Sequence, residues 1–96
     1  MNSQDISGAT LREFVTDYLT EVACMPAGEF ESEPYGSKTD GWGVVVIKGA
    51  KSMDTATFTI TRLTPNGGRC SSVPVYDMWF NDEQIGYIAD LAAENL

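Results

Sequence analysis

Between Thr55 and Leu63 the chain alternates strictly, with Ala56, Phe58 and Ile60 on one face and Thr55, Thr57, Thr59 and Thr61 on the other. Successive side chains of a strand point to opposite faces, so the pattern demands a strand with one dry and one wet side. β-Branched threonines suit the wet side of the pleat, while the apolar set needs a cover. Every other segment must therefore fit a sheet covered on one face. The Pro65-Asn66-Gly67-Gly68 run that follows is a tight-turn signal, because Asn-Gly supplies positive φ angles. A return strand is expected from Cys70 to Tyr76 or slightly beyond. Pro74 has no amide to donate, which places this strand at an edge or gives it a bulge.

Upstream, Trp42 to Lys48 reads as a strand, and the unbroken Val44-Val45-Val46-Ile47 run suggests burial on both faces and a central position. Gly49 to Asp54 reads as the turn into the alternating strand. Pro26, Gly28, Pro34, Gly36 and Gly41 punctuate residues 25–41, where Glu29, Glu31 and Glu33 alternate with Phe30 and Ser32. That alternation fits a short edge strand from Glu29 to Tyr35 with its acids on one face, or an ordered acidic loop.

The cover is supplied by two amphipathic helices. Leu11, Phe14, Val15, Tyr18, Leu19 and Val22 form one apolar stripe of helical period. Thr10 and Glu13 have the spacing of a capping box at its start, and Pro26 ends it near Ala23 or Cys24. Asn81 is the expected cap of the second helix, with Gln84 as its box partner and Ile85, Ile88, Ala89, Ala92 and Leu96 as its stripe. Gly86 weakens that helix by about 1 kcal/mol relative to alanine. The sum is one α+β domain over residues 1–96: an N-terminal helix, a three- or four-stranded antiparallel sheet and a C-terminal helix, both helices on one face. The threonine face is left available to a partner.

Fourteen Asp and Glu stand against six Lys and Arg, with no histidine, for a net charge of −8. Six scattered basic residues cannot neutralise a run of phosphates, so direct binding to nucleic acid or to an anionic membrane is not expected. The potential favours a basic partner surface instead. The first residues lack the basic and apolar regions of a signal peptide, no apolar run approaches a membrane span, and two cysteines are too few for a disulfide framework. A cytoplasmic protein with reduced thiols is expected, a single Cys24–Cys70 bridge being the alternative.

Catalytic chemistry finds no foothold. Without histidine, the usual activation of a serine or cysteine nucleophile is absent. Gly49-Ala50-Lys51-Ser52 lacks the contiguous Gly-Lys-Ser/Thr, the earlier glycine and the following helix of a phosphate loop. Gly41-Trp42-Gly43 has no helix after it and is not a dinucleotide fingerprint. No calcium-loop pattern occurs, and the acidic Glu29–Glu33 segment reads as solvated, not metal-binding. Neither an enzyme nor a bound cofactor or metal is expected.

What remains is surface. Glu13, Asp17 and Glu21 recur every four residues on the first helix, a ridge of charges about 6 Å apart. One DNA strand presents a phosphate about every 3.4 Å, so mimicry of nucleic acid needs a second row. Glu29, Glu31 and Glu33, or Asp77, Asp82 and Glu83, are the candidates. In Tyr76-Asp77-Met78-Trp79-Phe80, alternation sends Tyr76, Met78 and Phe80 one way and Asp77 and Trp79 the other. Burial is the first reading for Trp79; exposed among acids, it would anchor a protein interface.

In size, charge and lack of catalytic apparatus the chain looks like the small acidic inhibitors that phages and mobile elements direct at host defence nucleases, anti-CRISPR and anti-restriction proteins among them. The expected function is occlusion of a basic nucleic-acid-binding surface on a larger protein, by Glu13, Asp17, Glu21, Glu29, Glu31, Glu33, Asp77 and Trp79. An immunity protein capping a toxin nuclease, or a subunit that oligomerises through the Pro74 edge, are the alternatives.

Overall fold

The computed structural model describes residues 9–37, 43–66 and 68–96. The chain runs α1 (Ala9–Ala23), β1 (Gly28–Glu31), β2 (Tyr35–Ser37), β3 (Gly43–Ser52), β4 (Thr55–Leu63), β5 (Arg69–Trp79) and α2 (Asp82–Asn95). The five strands make one antiparallel sheet in the order β1-β3-β4-β5, and β2 pairs with β3 on the same side as β1. Two helices over one face of an antiparallel sheet is the expected α+β architecture. The strand count exceeds three or four because the edge strand is split in two.

β4 has the bounds that its alternation implies. Ala56, Phe58 and Ile60 are at most 3% exposed and meet the helices, while Thr57 is exposed and its threonine neighbours are half-buried. Leu11, Val15, Leu19 and Val22 of α1 are fully buried, and Ile85, Ile88, Ala89 and Ala92 of α2 close the same core. Burying a leucine or isoleucine side chain contributes roughly 1.5–3 kcal/mol, so these two stripes hold the helices to the sheet.

β3 is central, as its valine run implies, but it does not end at Lys48. It continues to Ser52, and the turn is reduced to Met53 and Asp54, with Met53 at φ 51°. Gly49 sits inside the strand opposite Phe58, where a Cβ would overlap the Thr57 carbonyl oxygen and the Phe58 Cβ. The glycine lets the β4 backbone at Thr57 and Phe58 approach closely instead of breaking the strand. Trp42, expected to begin this strand, lies outside the described residues.

The acidic segment is an edge strand with an interruption. Between β1 and β2, buried Ser32 replaces part of the regular pairing: its amide donates to the Ile47 carbonyl (2.8 Å) and its hydroxyl accepts from the Ile47 amide (2.9 Å). The hydroxyl satisfies a backbone donor that the broken strand would leave bare.

α1 already includes Ala9, so Thr10 lies within its first turn and is not the cap expected from the Thr10–Glu13 spacing. A cap residue must stand outside the helical backbone, and the alanine before Thr10 belongs to it. Asn81 does cap α2, its Oδ1 accepting from the Gln84 amide at 2.8 Å. The Pro65–Gly68 turn is closed by Thr64, whose amide donates to the Gly68 carbonyl and whose hydroxyl accepts from the Gly68 amide.

Candidate interaction surface

All eight residues expected to meet a partner are exposed: Glu13, Asp17, Glu21, Glu29, Glu31, Glu33, Asp77 and Trp79. They do not form one patch. The first six lie toward the edge that carries α1 and β1, with Glu29 and Glu31 on the sheet face away from the helices and Glu33 beyond the end of β1, whereas Asp77 and Trp79 lie on β5, at the opposite edge of the sheet. Three inter-strand steps separate those edges, about 14 Å of backbone.

On the first flank, Glu13, Asp17 and Glu21 line the outer side of α1, opposite the buried stripe. A shallow groove separates them from the aromatic side chains of Phe14, Tyr18 and Tyr35. These rings are stacked, Phe14 on Tyr35 at 4.6 Å between centroids, and Tyr18 continues to buried Phe30 at 6.1 Å. The stack attaches the edge strands to the helix and so fixes where the β1 carboxylates stand. Tyr18 registers the result. Burial raises its pKa above 10.0, and the negative charges of Glu21 on α1 and Glu31 on β1 raise it further. Acids from two elements thus act on one phenol.

The second row is shorter than its sequence suggests. Glu29 and Glu31 project from the uncovered face of β1, but Glu33 falls in the interruption after Ser32. Lys48 stands opposite Glu31 in register without closing to an ion pair. None of these six acids has an ion-pair partner among the described residues. The Arg12–Asp90 pair, 2.7 Å long and exposed, instead joins the two helices.

On the other edge, a β-bulge governs the geometry. Ala56 is opposite Met78 but Phe58 is opposite Val75, so β5 carries one residue more than β4 across this stretch. Asp77, at φ 51°, takes up the extra length, and its amide donates to the Thr57 hydroxyl at 3.1 Å. The bulge breaks the alternation expected from sequence. Val75 and Met78 both face the core, and Tyr76 is 74% and Trp79 58% exposed on the uncovered face. Trp79 is therefore not a core residue. An unbulged strand would aim the Asp77 carboxylate at the helices, a burial far costlier than a local kink. Asp82 and Glu83 occupy the first turn of α2, where the helix dipole favours carboxylates and accounts for them without a partner.

The chain matches no protein-family model, no curated protein and no solved structure.

Other chemical features are structural. Cys24 carries a free, exposed thiol, which removes the Cys24–Cys70 bridge. Lys51 Nζ donates to the carbonyls of Val22 (3.1 Å), Ala23 (2.8 Å) and Met25 (2.6 Å), and lies 5.2 Å from the centre of the Phe80 ring. The lysine of the failed phosphate-loop pattern thus closes the end of α1, a role that no local spacing signals. Among the described residues no group of three or more His, Cys, Asp and Glu could hold a metal ion, and no helix is long and apolar enough to cross a membrane.

Proposed function

We propose that this chain is a non-catalytic protein-binding module whose α1–β1 flank occupies a basic, nucleic-acid-binding surface of a larger protein. The observation that carries this reading is the exposed ridge of Glu13, Asp17 and Glu21 on the outer side of α1, none of them ion-paired among the described residues. Carboxylates without internal partners are available to the Lys and Arg that otherwise hold phosphate, and such pairing weakens with salt. The inhibitors that phages and mobile elements direct at defence nucleases, of the anti-CRISPR and anti-restriction kind, work on this chemistry. Immunity proteins share it; strand addition at β5 is less well supported, because an edge proline and a bulge both discourage it.

The test is displacement of labelled duplex DNA from a panel of CRISPR effector complexes and restriction nucleases. Release near equimolar protein is expected, with affinity falling about tenfold or more as salt rises from low to physiological. The Glu13→Gln, Asp17→Asn, Glu21→Gln triple variant should lose the effect. Failure to displace DNA from any member, or full activity of the triple variant, sinks the reading.

A further inference from the structure

At the far end of the sheet, three exposed side chains gather that burial would ordinarily claim. Met53 is 79% exposed in the β3–β4 turn, and Trp79 lies opposite Thr55, two residues beyond it. Met53, Asp54 and Trp79 line one shallow depression. Tyr76 is on the same uncovered face, one repeat back along β5, roughly 7 Å away. Single exposed hydrophobic residues are ordinary on a protein surface, but a contiguous group marks an interface.

Backbone strain coincides with this group. Met53 and Asp77 are the non-glycine residues with positive φ among those described, both at 51°. Methionine has no special tolerance for that region, and a glycine there would relieve it. Instead, the turn presents a flexible apolar side chain beside the indole. The bulge at Asp77 in turn brings Trp79 to the uncovered face that Tyr76 already occupies.

The charge of the patch selects its occupant. Asp54 and Asp77 have no ion-pair partner among the described residues. Lys51, the cation lining the depression, has its three donors taken by the carbonyls at the end of α1. What the surface offers is a pair of aromatic faces edged by two carboxylates without an ion pair among the described residues, that of Asp77 accepting from the Thr57 hydroxyl at 3.5 Å. A planar guanidinium stacks on such faces and forks to carboxylates, which an ammonium does less well. We propose that Met53, Tyr76 and Trp79 form a docking site for an arginine-bearing segment of a partner protein, its guanidinium stacked on the Trp79 indole and paired with Asp54 and Asp77. The site is separate from the α1–β1 flank and does not depend on what that flank binds.

The test uses the full chain labelled with nitrogen-15 and titrated with hexa-arginine or hexa-lysine. Indole N–H signals of Trp42 and Trp79 are assigned with Trp79→Phe. Hexa-arginine should move the Trp79 signal and bind about threefold or more tighter than hexa-lysine. Trp79→Ala should weaken hexa-arginine binding about tenfold. Asp77→Asn, which keeps a residue tolerant of positive φ, should weaken it with the fold intact. The Glu13→Gln, Asp17→Asn, Glu21→Gln variant should leave the Trp79 response in place, which separates this proposal from the displacement activity of the acidic flank. Equal binding of the two peptides, a Trp79 signal that does not move, or self-association abolished by Trp79→Ala would overturn it; the last would make the occupant a second copy of this chain.

Discussion

The ammonium nitrogen of Lys51 stands 2.8 Å from the carbonyl oxygen of Ala23, the last residue of α1. Neither helix has a basic residue in its own last turn, and in both cases the sheet supplies one. Lys51 comes from the helix-covered face of β3, and Arg62 Nη1 reaches the Leu96 carbonyl, just past α2, from the same face of β4. Carbonyls left bare at a helix end carry partial negative charge, so each cation satisfies acceptors and meets the dipole at once.

Lys51→Met keeps most of the side-chain bulk and removes the three donors. A hydrogen bond to a charged group contributes about 1.5–3 kcal/mol, and here one ammonium serves three half-buried carbonyls. A loss of about 2–3 kcal/mol is expected in urea unfolding, with the slope unchanged. A loss below about 0.5 kcal/mol would show that water replaces the lysine without cost.

Two glycines should respond to alanine in opposite directions. Gly86 on α2 has no atom within 4 Å of an added Cβ, so Gly86→Ala should stabilise by about 1 kcal/mol. Gly49→Ala drives a methyl into the Thr57 carbonyl and Phe58, and a cost of about 1–3 kcal/mol is expected. Thermal unfolding of the two variants side by side checks the sign of each.

Alkaline stability should report Tyr18. An unfolded tyrosine ionises near pH 10, whereas burial, then Glu21 and Glu31, keep Tyr18 protonated to higher pH in the fold. Between those two pKa values the folded state holds a proton that the unfolded state has lost, so this contribution is intact below pH 10 and falls away as pH rises beyond it. Tyr18→Phe should therefore show a shallower decline above pH 10 than the parent chain. Glu21→Gln with Glu31→Gln should bring the tyrosinate absorbance of Tyr18 in earlier, though not all the way to the free value, because burial remains.

The periodic parts of this fold were open to reading. β4 follows from a two-residue repeat, and α2 from an apolar stripe behind Asn81. Where the reading failed, one residue did something its type does not advertise. Gly49 admits the close approach of the β4 backbone inside a strand, and looks in sequence like a turn signal. Asp77 lengthens β5 by one residue, and nothing in Tyr76-Asp77-Met78-Trp79 marks where alternation breaks. Ser32 interrupts the acidic strand by bonding to Ile47, a residue fifteen positions away. The eight surface residues were identifiable by charge and aromaticity. Their division between two edges was not, because it depends on strand order, a long-range property.

The broken borders of the sheet carry a consequence of their own. On one side Ser32 separates two short strands; on the other Pro74 and Asp77 interrupt β5. A sheet with a bare face and straight margins is a seed for fibrils, since a neighbouring molecule can extend it indefinitely. Here the template is notched on both margins, which discourages a neighbouring molecule from extending it.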